Sequence, residues 1–146
     1  MSVLKVKRLN EKARLPERAT AGSAGYDLRA CIEQPVVIEP GQVQKIPTGL
    51  AIELADEHHV ALIFARSSMG VKHGVCPANA VGVIDSDYRG EVCIFLRNYS
   101  DAPYTVQPQD RVAQLLVMPV ALPEVQAVEQ LSDTVRGEGG FGSTGK

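Results

Sequence analysis

The chain has no tryptophan, and aromatic residues make up only 5% of its 146 positions, so each aromatic outside an obvious strand needs its own explanation. A strong excess of one charge is also missing. The net charge of −2 excludes the global basic field that holds nucleic acid without sequence preference. A small anionic ligand would have to meet a local cluster of cations instead. Long hydrophobic runs are absent too. The longest clean one, Val60 to Ala65, ends at Arg66, far short of the about 18 residues of a membrane span. The opening MSVLKVKRLN mixes apolar and basic residues and lacks the apolar block and small-residue cleavage site of a secretory signal. The cysteines, Cys31, Cys76 and Cys93, are odd in number and widely spaced, with no C-x-x-C pair, so no disulfide framework is expected. His73 and Cys76 lie three apart without a second ligand pair, which argues against zinc. A reduced, cytoplasmic protein is the expectation.

What is present is a series of short strands separated by turn chemistry. Lys5 and Lys7 alternate with Leu4 and Val6. Val36 to Ile38 runs into Pro40-Gly41, and Gln42 to Ile46 into Pro47-Thr48-Gly49. Leu50 to Leu54, Val60 to Phe64, Val81 to Ile84, Glu91 to Leu96 and Arg111 to Val117 follow. Turn signals at this spacing predict an all-β sandwich or barrel. Helical pattern is scarce: Ser67 to His73 has room for about one turn behind a Ser cap, and Val125 to Leu131 is ambiguous between strand and helix. After Arg136 apolar periodicity stops, and such a segment cannot bury enough surface to offset its ordering entropy. The expected organisation is one domain over residues 1–135 and a mobile segment over 136–146.

Several stretches carry chemistry. In AGYDLRA, Ala24 to Ala30, Asp27 stands at a strand start, where an ordinary turn aspartate is the simpler reading. In ARSSMGVKHG, Ala65 to Gly74, Arg66 offers a planar fork for phosphate, with Ser67 and Ser68 adding hydroxyls at a helix start. The plain alternative is a helix cap with a solvated arginine. In NAVGVIDSDYRGEV, Asn79 to Val92, Asp85 and Asp87 end a buried-looking strand. A carboxylate there is placed to hold a water and take its proton. The hairpin rim presents backbone groups around Val83 and Ile84, and the Asn79 amide, to a base edge. An acidic turn with Tyr88 packed on its side fits equally well. In DRVAQLL, Asp110 to Leu116, Gln114 is flanked by core residues and needs a hydrogen-bond partner, structural or otherwise. The final GFGSTGK matches part of a phosphate-binding loop, but that loop needs a strand before it and a helix after it. With Lys146 the last residue of the sequence, that reading is expected to fail on context.

In this order, AGYDLRA, RSSMG, NAVGVIDSDYRGEV, DRVAQLL and RGEGGFGSTG resemble the five motifs of the homotrimeric dUTPase family, over about residues 20 to 145. Each motif alone is weak, and the series is specific. The resemblance implies a jelly-roll-like β-barrel, a homotrimer with three shared active sites, and Mg²⁺ on the phosphates. It implies conversion of dUTP and water to dUMP and diphosphate, which limits uracil incorporation into DNA and supplies dUMP for thymidylate synthesis. It also implies roles residue by residue. Asp85 would activate water. Tyr88 would pack under the deoxyribose, Asn79 with the backbone at Val83 and Ile84 would read uracil, and Cys93 would line the sugar side. Arg66, Ser67, Ser68 and Gln114 would contact phosphate, and Asp27 would reach the metal through water. Arg136, Ser143 and Thr144 would grip the outer phosphates, and Phe141 would stack over the base. No direct nucleic-acid or membrane partner is implied.

One position departs from the family pattern. Gln109 stands before Asp110 and Arg111 where glycine is frequent. If the turn needs a positive φ, the glutamine is costly there. Two other readings compete. One is a dCTP deaminase or bifunctional enzyme of the same fold, which would need an extra glutamate at the base; Glu91 is the nearest. The other is a non-catalytic nucleotide-binding trimer.

Overall fold

A computed structural model describes residues 3–140 of the chain. Among these residues eleven strands and one short helix form a distorted, jelly-roll-like barrel. Strands β1 (Lys5–Arg8), β2 (Tyr26–Arg29), β3 (Val36–Ile38), β4 (Val43–Pro47), β5 (Leu50–Glu53) and β6 (His59–Phe64) precede helix α1 (Ser67–His73). Strands β7 (Val75–Pro77), β8 (Gly82–Ile84), β9 (Cys93–Asn98), β10 (Tyr104–Val106) and β11 (Arg111–Pro119) follow it. The barrel is assembled from small antiparallel sheets ordered β2-β11-β6-β8, β4-β9-β7, β1-β5 and β10-β3.

The alternation in the sequence is what the sheets use. In β9 Ile94, Leu96 and Asn98 point inward while Phe95 and Arg97 face out, the period-2 pattern of a strand with one buried face. Leu28, Ile38, Ile46, Leu50, Ile94, Leu96, Val106, Val112 and Leu115 are fully buried and belong to one cluster. Each such aliphatic side chain contributes roughly 1.5–3 kcal/mol. Buried Asn98 is fully satisfied. Its amide donates to the carbonyls of Ile38 and Ala102, and its Oδ1 accepts from Ser100 N–H and hydroxyl.

Strand β7 and the brief β10 were not anticipated as separate strands, because three residues carry too little periodicity. The stretch Val125–Leu131 forms neither strand nor helix. Helix α1 spans the anticipated residues, but its N-cap is Arg66 and no side chain caps it. The reason is tertiary: Arg66 is still extended (φ −81°, ψ 138°) and its guanidinium is drawn to Asp27, so Ser67 becomes the first helical residue. No helix of the described residues is long and apolar enough to cross a membrane.

Candidate active site

The four-stranded sheet decides which motifs meet. Strand β11 lies between β2 and β6, and its register places Gln114 opposite both Asp27 and Phe64. Arg66, two residues beyond Phe64, therefore emerges beside Asp27. The Asp27 carboxylate accepts from Arg66 Nε at 2.9 Å through one oxygen and from an Arg111 terminal nitrogen at 3.1 Å through the other. Charge-assisted pairs of this kind hold geometry better than neutral ones. Gln114 donates through Nε2 to the Ala65 carbonyl at 2.9 Å, which supplies the partner a glutamine among core residues requires. Its Oε1 fills the space that a side chain at Gly25 would need, since a Cβ there would lie 2.6 Å away. Asp27, Arg66, Ser67, Arg111 and Gln114 line one open cavity of ≈ 700 Å³ with two guanidinium groups in its wall. Such a lining favours anions.

A second cavity, ≈ 270 Å³, lies under the β7–β8 turn and the turn that leads from β8 to β9. It is lined by Asn79, Val83, Ile84, Asp85, Tyr88 and Cys93 among others. Strand β6 pairs with β8, and this fixes Ile84 inward and Val83 outward. The turn before β8 carries Ala80 at φ 61°, a left-handed conformation uncommon for a residue with a side chain. Asn79 lines the smaller cavity and Ala80 the larger, so this turn is the partition between them. Asp85 is exposed at the rim of the smaller cavity and has no ion pair among the described residues. Tyr88 donates its hydroxyl to the Glu91 carbonyl at 3.1 Å. Burial, with the Glu91 carboxylate adding to it, pushes the Cys93 thiol above its ordinary range.

The sequence-predicted residues thus fall into two groups that this single chain does not bring into one cavity. Ser68, behind Ser67, lines neither, and nor does Arg136, which is exposed. Phe141, Ser143 and Thr144 lie outside the described residues. Two residues acquire importance that the sequence reading did not assign. Arg111 holds the far side of Asp27, 84 positions away. Glu91 Oε1 accepts the Gly49 N–H at 2.8 Å, bracing the turn between β4 and β5. Neither had a local signal, because each depends on a partner distant in the chain. Among the described residues no three His, Cys, Asp or Glu side chains converge as a metal cage.

The barrel and its two cavities define a class: an all-β domain with a small pocket walled by β8 and its flanking turns, whose rim carries a carboxylate unpaired among the described residues, and a separate cationic pocket built across a sheet. The comparisons with known proteins narrow it. The dUTPase family model matches residues 11–145, and the chain belongs to that family. It is 50% identical over 139 residues to the deoxyuridine 5'-triphosphate nucleotidohydrolase of Idiomarina loihiensis, covering 95% of this chain and 92% of that one. It is 50% identical over 145 residues to the enzyme of the same name from Paraburkholderia phymatum, covering 98% of each. Among solved structures, a mutant dUTPase of Staphylococcus bacteriophage 80alpha with dUpNHpp matches at TM-score 0.90 and 30% identity, over 99% of both chains. A mutant dUTPase from phage phi11 of S. aureus, in which the coordination of a structural Mg(II) ion is described, matches at TM-score 0.79 and 30% identity, over 88% of this chain and 97% of that one.

Proposed function

We propose that the protein hydrolyses dUTP to dUMP and diphosphate as a homotrimer. The observation that carries this reading is the smaller cavity: Asp85, Asn79 and Tyr88, brought to one rim by β8 and the turns on either side of it, in a chain that belongs to the dUTPase family. Asp85, exposed at the rim of the smaller cavity, takes a proton from water, and the water oxygen attacks the α-phosphorus. The bond between the α-phosphorus and the oxygen bridging to the β-phosphate breaks, and that oxygen leaves as part of diphosphate. Asn79 and the backbone at Val83 and Ile84 read the base edge, and the Tyr88 ring lies under the sugar and leaves no room for a 2′-hydroxyl. Cys93 lines the sugar side. Arg66, Ser67, Ser68 and Gln114 bind phosphate, and stabilising the charge that develops there is the larger part of the catalysis.

The division of the site into two cavities supports the trimer, because base-side and phosphate-side groups on one chain are walled apart. A neighbouring chain then completes each site. The exposure of Val125, Leu131 and Val135 in a segment without strand or helix fits the same assembly. Residues 1–135 form the barrel domain, and residues 136–146 act as a lid, with Arg136, Ser143 and Thr144 on the outer phosphates and Phe141 over the base.

The donor set fits a Mg²⁺ ion that arrives on the triphosphate. Such ions keep their waters and need only one or two protein carboxylates. Asp27 spends two hydrogen-bond positions on Arg66 and Arg111, of about four that a carboxylate has. The others remain for an ion-bound water. The ion supplies neutralisation of phosphate charge.

Glu91 lines the smaller cavity, with one carboxylate oxygen accepting the Gly49 N–H at 2.8 Å, so ammonia release is what separates hydrolysis from the deaminase reading. The test is diphosphate release from dUTP, dCTP, dTTP and UTP with Mg²⁺ or chelator, with ammonia release measured from dCTP. Release from dUTP alone, lost on chelation, is the expected result. Substantial ammonia from dCTP would overturn the assignment.

A further inference from the structure

The turn from β8 to β9 contains a glycine whose presence backbone geometry does not explain. Gly90 is not among the residues of positive φ, unlike Gly41, Gly49, Gly74 and Gly137. Any L-residue could adopt its backbone. What it lacks is room. A Cβ at Gly90 would lie 2.4 Å from the Tyr88 hydroxyl oxygen, 2.6 Å from Cζ and 2.9 Å from Cε2. Gly22 and Gly140, by contrast, would meet nothing within 4 Å. The Tyr88 ring therefore lies directly over Gly90, with its hydroxyl tied to the Glu91 carbonyl at 3.1 Å.

The floor beneath this ring is anchored by several bonds, the ring by one exposed hydrogen bond. Glu91 Oε1 accepts from Gly49 N–H at 2.8 Å, Val92 N–H donates to Leu50 O at 2.8 Å, and the Thr48 hydroxyl donates to Val92 O at 2.6 Å. Thr48 and Val92 are buried. Tyr88 is 46% exposed and has solvent to swing into. A methyl group at position 90 therefore displaces the ring rather than the backbone.

We propose that Gly90 is a positioning residue for sugar discrimination, acting through Tyr88: its missing side chain is the seat that holds the ring where it excludes a 2′-hydroxyl, and the Glu91 carbonyl is the latch. The inference rests on the reading of Tyr88 as the wall under the deoxyribose. It predicts that G90A weakens selectivity without unfolding the barrel.

The experiment measures kcat and KM for dUTP and UTP, and the melting temperature, for the wild type, G90A, Y88F, Y88A and the double variant G90A/Y88A. The kcat/KM preference for dUTP over UTP should fall about tenfold in G90A, the scale set by losing one oriented hydrogen bond and the contact it fixes. The melting temperature should stay close to wild type. Y88F, which keeps the ring and removes the latch, should fall in the same direction. The double variant should match Y88A, because residues that act through one another are not additive. A merely structural glycine would lower the melting temperature and leave selectivity alone. Should G90A keep full preference while Y88A loses it, the positioning role is overturned and the role of Tyr88 stands. A wild type that does not prefer dUTP over UTP, or a Y88A that keeps the wild-type preference, overturns the underlying reading and this inference together. If G90A does not fold, unchanged selectivity in Y88F overturns the proposal.

Discussion

Gln109 offers the sharpest test of how a local strain is tolerated. Its φ is 68°, in the left-handed region that costs an L-residue about 1–2 kcal/mol. Three contacts hold it there. Nε2 donates to the Lys12 carbonyl at 2.9 Å, the backbone N–H donates to Ala30 O at 2.9 Å, and the carbonyl accepts from Arg29 at 3.0 Å. Against them stands Oε1, which is buried without a partner among the described residues. Replacing Gln109 by alanine and by glycine deletes the same amide in both cases. Each variant loses the Lys12 hydrogen bond, worth about 1 kcal/mol, and each is relieved of the unpaired oxygen, worth about as much. Only the backbone term separates them. Alanine keeps the left-handed cost and glycine does not. After the extra freedom that glycine gives the unfolded chain, about 0.4–1 kcal/mol, Q109G should be more stable than Q109A by about 1 kcal/mol. For a chain of this size that is a difference of roughly 2–4 °C in Tm. Thermal and urea denaturation of both variants beside wild type measures it. If Q109A and Q109G unfold together, the turn has relaxed out of the left-handed region, and the reasoning from φ is refuted.

The remaining predictions concern the site. D85N should lower diphosphate release by about 10²–10⁴-fold, the range for loss of a general base, with dUTP binding largely kept; unchanged turnover would remove Asp85 as the base. D27N should lower unfolding stability by about 1–2 kcal/mol even in chelator, because Arg66 and Arg111 lose a charged partner and the more exposed Arg111 pair counts for less. Stability equal to wild type without metal would leave Asp27 no positioning duty. Deleting residues 137–146 should leave a folded trimer by light scattering and cut turnover about a hundredfold through loss of substrate positioning. Full activity in that variant would end the lid reading.

The strands were legible where alternation ran for several residues, as in β9, or where an apolar run stood out, as in β11, and illegible in β7, where Val-Cys-Pro carries almost no period. The suspicion that position 109 needs a positive φ came from one substitution in a motif, and the left-handed Gln109 agrees with it. The cap of α1 was misread because Ser67 is a good capping type, yet tertiary pairing of Arg66 with Asp27 shifts the start by one residue.

By itself the sequence determined the chemical types in each motif, the all-β class and the lack of any broad cationic field, since composition, alternation and turn residues act over short distances. Only the tertiary structure decided that Asp27, Arg66, Arg111 and Gln114 share one cavity, because the register of β11 between β2 and β6 sets Gln114 opposite Asp27 and brings Arg111, 84 positions away, onto its carboxylate. It also decided that Asp85 and Tyr88 lie beyond a partition from them, with Ala80 strained at the dividing turn. Register depends on how every core side chain packs at once, and no short stretch of sequence contains that sum.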